Sequence, residues 1–276
     1  MTRVAREFRF GIGLRSIGSA AKLRDRVRRF EDLGYDVVHF PDHLGAPAPF
    51  PAMVAAASAA TTIRVGTYVL NAAFYSPALL ARDVVDTELV TEGRLELGLG
   101  TGYVREEFDA AGIPYPSAGE RVAHLRRTTE YLERVAPEVP LLIAGNGDRV
   151  LALAARYADI IGFSGGAAGS HADDPLAERV SFVRAAAGDR FDELELNLAI
   201  TAVPTDASGI PDLTLTRAYE PDKSDDELLA MPSVLSGSPR HIADTLIAQR
   251  ENYGITYFTV QDYHGRYFAQ VIEALR

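Results

Sequence analysis

At 276 residues, 47% of them apolar, the chain has the size and core content of one (β/α)8 barrel, which takes about 250 residues. Its 38 acidic against 28 basic side chains leave a net charge of −10, which argues against nucleic acid as a partner, and the lack of cysteine removes disulfides, thiolate metal sites and a cysteine nucleophile. No apolar stretch approaches the roughly 20 residues that cross a bilayer, and the charged segment Met1–Glu7 leads into only a short apolar stretch broken by glycine, so a membrane partner is not expected and a cytoplasmic location is.

The first strand is predicted at Phe8–Leu14. Behind it, Lys22–Arg29 carries five positive side chains around one Asp. Leu23, Val27 and Phe30 at i, i+4 and i+7 make this an amphipathic helix with a solvated basic face, and Gly34 ends it. Val37–Phe40 and Ile63–Leu70 are the second and third strands. Ser76-Pro77 sets an N-cap with proline at the first helical position, and Glu92-Gly93 closes that helix before the fourth strand, Leu95–Leu99.

Leu141–Ala144, Ile160–Phe163 and Leu194–Ile200 follow as the fifth to seventh strands. Val203–Ser236, with four prolines and many acids, has no sustained period and reads as a long loop or partly ordered insertion. Ser238-Pro239 opens the seventh helix, Gly254 closes it, and Ile255–Val260 is the eighth strand. Apolar runs that alternate with helical patterns give parallel strands buried on both faces. The predicted fold class is thus α/β, a (β/α)8 TIM barrel forming a single domain over residues 1–276, with an insertion between the seventh strand and the seventh helix. An open doubly wound sheet shares the rhythm, but Gly98-Leu99-Gly100-Thr101-Gly102 and Gly145-Asn146-Gly147 lack the spacing of the dinucleotide fingerprint.

In such a barrel the chemistry sits at the C-terminal strand ends. There the sequence places Asp42-His43, Asn71, Thr101-Gly102-Tyr103, Gly145-Asn146-Gly147, Ser164-Gly165-Gly166 and Gln261-Asp262-Tyr263-His264. A metal site is not expected: His39 and His43 on one strand face stand about 13 Å apart by strand rise, too far for one ion.

Gly66–Leu70, Ser76–Asp83 and Glu92–Tyr103, together with Gly34-Tyr35-Asp36, Asp42-His43 and Gly237-Ser238-Pro239, resemble the luciferase-like family. Within it, the members that use the 5-deazaflavin coenzyme F420 are the more similar. The resemblance implies an oxidoreductase that passes hydride between reduced F420 and a small organic substrate. It implies a non-prolyl cis peptide at Thr67-Tyr68-Val69 as the wall for the ring, with Asn71, Thr101 and Gly102 beside it. A cofactor phosphate would lie at Gly145-Asn146 or, preferentially, at Ser164-Gly165-Gly166, where loop amides can receive an anion. His43, aided by Asp42, would exchange a proton with substrate. Tyr103 departs from the glutamate that some deazaflavin dehydrogenases carry at that place, and can itself donate a proton or stack on substrate. The alternatives are FMN as cofactor of a monooxygenase and, from other classes, a non-catalytic flavin-binding barrel or a metal-dependent hydrolase. Relatives are commonly dimers, so a homodimer is expected.

Overall fold

The computed structural model describes residues 6–165, 172 and 174–276. Nine strands form one sheet: β1 Arg9–Gly13, β2 Val37–Phe40, β3 Arg64–Thr67, β4 Leu70–Asn71, β5 Leu95–Gly100, β6 Leu141–Ala144, β7 Ile160–Phe163, β8 Glu195–Ala199 and β9 Ile255–Gln261. All pairings are parallel, in the order β3-β2-β1-β9-β8-β7-β6-β5-β4, and a β3–β5 pairing closes the ring. This is the eight-staved TIM barrel expected, with β3 and β4 as two halves of one stave.

That divided stave is where the continuous third strand, Ile63–Leu70, needs correction. The peptide between Tyr68 and Val69 is cis and interrupts the ladder between Thr67 and Leu70. Gly98 makes room for the interruption: a Cβ there would stand 2.1 Å from the Thr67 carbonyl oxygen. At Gly100 it would stand 2.8 Å from Val69 Cγ2. These glycines of β5 therefore admit a neighbouring backbone and side chain of the protein itself, and Gly100 also lines the cavity at the barrel mouth.

The helices are α1 Ala20–Asp32, α2 Pro49–Ala57, α3 Pro77–Val90, α4 Arg105–Ala111, α5 Ala118–Val135, α6 Asp148–Tyr157, α7 Pro175–Ala187, α8 Thr214–Tyr219, α9 Asp225–Leu229, α10 Pro239–Tyr253 and α11 Gly265–Leu275. Leu23, Val27 and Phe30 of α1 are buried while its arginines face outward, as the amphipathic spacing requires. Ser238 accepts the His241 N–H at the start of α10, and Gly254 ends that helix in the left-handed conformation. Ser76 stands at the N-cap of α3 without a side-chain hydrogen bond. The main core lies between the outward face of the strands and these helices.

The insertion after β8 is more ordered than its composition implied. It holds α8 and α9, the latter opened by a capping box in which Ser224 and Glu227 exchange bonds with each other's backbone. Two bridges, Ala202 to Val234 and Pro204 to Pro211, fold it back over the barrel mouth.

Candidate active site

A cavity of about 510 Å³ opens at the C-terminal ends of the strands. Asp42, His43, Tyr68, Val69, Asn71, Thr101, Gly102, Tyr103, Gly145, Asn146 and Ser164 line it, so residues from five separate parts of the sequence meet in one place. Thr67 does not reach the cavity. Its buried hydroxyl donates to the Gly98 carbonyl at 2.8 Å and accepts the Gly98 N–H at 2.9 Å, holding the wall from behind. Gly165 has φ +72° and turns away against Ser233, and Gly166 lies outside the described residues.

Asp42 and His43 have separate partners. The Asp42 carboxylate accepts the Asn71 N–H at 3.0 Å, and burial raises its pKa against that bond and one to Tyr75. His43 instead places Nδ1 2.9 Å from Oε1 of Glu107 on α4. Asp42, expected to aid His43, still acts on it electrostatically, while Glu107 of α4 supplies the carboxylate in contact with the ring. With Nδ1 committed to Glu107, Nε2 is the nitrogen left to face a substrate. Tyr103 stands 63% exposed at the rim, its phenol held above the ordinary pKa by partial burial.

On the opposite side of the mouth the loops after β6 and β7 are joined. Asn146 Nδ2 donates to Ser164 Oγ, and the Ser164 N–H reaches Asn146 Oδ1 at 3.4 Å. Directly after them α6 begins, its first helical residues being Asp148 and Arg149. The first amides of a helix have no intrahelical acceptor, so this corner offers N–H donors to an anion. Tyr68, Val69 and Leu70 line another side of the cavity. A flat ring with an anionic tail fits such a combination of surface and donors.

Below the mouth the barrel interior is polar, which the strand reading missed. Arg9 Nη2 donates to Glu96 Oε2 at 2.6 Å, and Arg9 Nη1 donates to Glu195. Tyr257 donates its hydroxyl to Glu96 Oε1 at 2.7 Å and lies 2.6 Å from His39 Nε2. Because Tyr257 has one proton and gives it to a carboxylate, its oxygen must accept from His39, which places the histidine's proton on Nε2. Burial lowers the His39 pKa to about 4, so the ring is neutral at neutral pH. Burial alone would also raise the Glu96 pKa, but attraction to Arg9 and the hydrogen bonds overcome it and hold the group below the usual carboxylate value. Higher up, Tyr68 donates to Asn197 Oδ1 at 2.5 Å, and Asn197 Nδ2 donates to Thr259 at 3.0 Å. The wall residue Tyr68 is therefore fastened to the interior of the barrel.

Sequence reasoning also missed Glu107, Arg15 and the insertion residues Thr216 and Tyr219, all of which line the cavity. Glu107 and Tyr219 sit on helices rather than at strand ends, so the rule that locates barrel sites passes over them.

The luciferase-like monooxygenase family model matches residues 4–209. Among curated sequences, the chain is 35% identical over 136 residues to the F420-dependent glucose-6-phosphate dehydrogenase of Intrasporangium calvum, which covers 45% of this chain and 41% of that one. It is 27% identical over 208 residues to the enzyme of the same name from Nakamurella multipartita, covering 63% and 61%. The chain thus spans less than two thirds of the length of the curated relatives it matches. Among solved structures, the coenzyme F420 dependent tetrahydromethanopterin reductase of Methanopyrus kandleri superposes with TM-score 0.76 at 18% identity, over 98% of this chain and 97% of that one. An F420-dependent secondary alcohol dehydrogenase in complex with an F420-acetone adduct gives 0.77 at 17% identity, over 98% and 100%. Monooxygenase RslO1 from Streptomyces bottropensis gives 0.74 at 19% identity, over 96% and 98%. At these identities the likeness is one of fold.

Proposed function

Because the chain belongs to the luciferase-like monooxygenase family, we propose that it is an oxidoreductase that uses coenzyme F420 to exchange hydride with a small organic substrate. The observation that carries this reading is the His43–Glu107 pair at the edge of a cavity that has an extended wall at Tyr68–Leu70 and an anion corner at Asn146, Ser164 and the start of α6. The curated relatives' names add the deazaflavin to it. When bound, a reduced deazaflavin supplies hydride at ring carbon C5 and, having carbon at that position, does not form the oxygen adduct that monooxygenation requires.

The protein's own groups do the rest. Val69 and Leu70 back the ring, Thr101 and Gly102 border it, and Asn146, Ser164 and the first amides of α6 hold the anionic tail. Glu107 fixes the His43 ring through Nδ1. A neutral His43 takes a proton from a substrate hydroxyl at Nε2, and in the reverse direction the imidazolium returns it, so one residue serves oxidation and reduction. The insertion, through Thr216 and Tyr219, covers the substrate side of the mouth. Exposed Leu79, Val85, Leu89 and Val90 on α3 support assembly as a homodimer, and small molecules rather than membranes or nucleic acid are the partners, in the cytoplasm.

The test is an anaerobic assay of reduced F420 with a panel of small carbonyl, imine and conjugated alkene acceptors. Oxidation of F420 without oxygen is the expected result. Turnover that needs both oxygen and reduced FMN would replace this reading with a monooxygenase.

A further inference from the structure

Three carboxylates line the cavity, and each is committed. Asp42 accepts the Asn71 N–H, Glu107 holds His43, and Glu220 lies 3.8 Å from Lys223 Nζ. The lining includes one guanidinium, that of Arg15, and among the described residues it forms neither a hydrogen bond nor an ion pair. Arg15 acts electrostatically on the Asp262 carboxylate, which is itself ion-paired with Arg26, so the positive charge of this mouth has no directly bonded partner among the described residues, although the chain as a whole carries −10.

Its position separates it from the cofactor's anion corner. Arg15 follows β1, which pairs with β2 and β9, whereas Asn146 and Ser164 follow β6 and β7 on the far side of the ring. On the near side Arg15 shares the mouth with His43 after β2 and Gln261 at the end of β9. Tyr103, from the loop after β5, and Tyr219, from the insertion after β8, also line the cavity and are 63% and 55% exposed. Arg15 and Tyr219 are each close enough to Tyr103 to act on it electrostatically. A guanidinium offers a planar fork that matches a carboxylate, and tyrosine faces favour flat conjugated groups beside it.

Resting on the deazaflavin reading above, we infer that the acceptor is a planar conjugated carboxylate, its acid group held by Arg15 and its unsaturated part lying between Tyr103 and Tyr219, within reach of His43. Arg15 is then the residue that selects acids over their neutral analogues.

The probes are trans-cinnamate and trans-cinnamamide, which share a shape and differ in charge, titrated calorimetrically into the protein loaded with oxidised F420. Cinnamate is expected to bind at least about tenfold more tightly than the amide, in line with a charge-assisted bond. Arg15→Gln should erase the difference, Arg15→Lys should keep part of it, and neither should change the affinity for F420. Equal binding of acid and amide overturns the inference, as does an Arg15→Gln protein that loses F420 affinity, since Arg15 would then belong to the cofactor tail. A chain that does not load F420 at all overturns the proposed function instead, and the same acid and amide titrated into the unloaded protein still decide whether Arg15 selects a carboxylate.

Discussion

His43 Nδ1 lies 2.9 Å from Glu107 Oε1, although 64 residues separate the two in the chain. The contact fixes which ring nitrogen faces the cavity. A positioned acid or base contributes about 10²–10⁴-fold to a proton transfer, so His43→Ala is expected to lower kcat by that factor while F420 affinity stays nearly constant. Glu107→Gln retains an oxygen acceptor for Nδ1 and should cost less than Glu107→Ala. Steady-state kinetics on the authentic substrate check both. Full turnover by His43→Ala would pass the proton role to Tyr103.

Asn197 and Tyr68 make the second test. Asn197 is fully buried and accepts the Tyr68 hydroxyl, so Asn197→Leu leaves a donor stranded in the barrel. A stranded buried polar group costs about 1–3 kcal/mol. Urea unfolding should show that loss, and F420 titration should show weaker binding because the wall residue has lost its tether. An undiminished F420 affinity would separate the barrel interior from the cofactor wall.

The His39 ring gives a pH dependence. Burial holds it at about 4 in the folded chain, against about 6.5 for an unfolded histidine. Between these values the unfolded chain binds a proton that the folded one does not, so stability is complete above about 6.5 and is lost as pH falls through the window. Burial lowers His264 to about 4 as well, so the two act together. His39→Gln is expected to remove roughly half of the histidine slope, up to about 1.4 kcal/mol per pH unit for one group, between pH 5 and 6.5. Chemical denaturation at a series of pH values reads the slope, and an unchanged slope would mean that His39 titrates normally.

Gly102 has φ +70°, and a Cβ on it would fall 2.1 Å from Asn71 Oδ1. Gly102→Ala must displace Asn71, which caps the turn after β4 through the Ala73 N–H at 3.1 Å. Both residues line the cavity, so F420 affinity should drop by at least about tenfold, or 1.4 kcal/mol. Equal affinity in a fluorescence titration would remove this edge of the cavity from the cofactor site.

The strands were legible because barrel staves are buried on both faces, so apolar runs mark them directly. The polar interior was legible too, at every second position: Arg9, then Glu96, then Glu195 and Asn197, then Tyr257 and Thr259 alternate with apolar neighbours that face the helices. Reading the runs as uniformly apolar hid that alternation. The break at Tyr68–Val69 lies inside an unbroken strand-forming stretch, so only family resemblance pointed to it. The Ser224–Glu227 capping box is a local signal that announces α9, but a helix of five residues is too short to show a period. Glu107 belongs to neither kind of pattern; tertiary folding alone brings α4 to His43.

The most direct measurement of the central claim is a titration of the purified protein with F420 and, separately, with FMN, each oxidised and reduced, followed by fluorescence. The account expects the dissociation constant for F420 to be at least about tenfold lower than that for FMN, a difference of about 1.4 kcal/mol. A tenfold preference for FMN would contradict it.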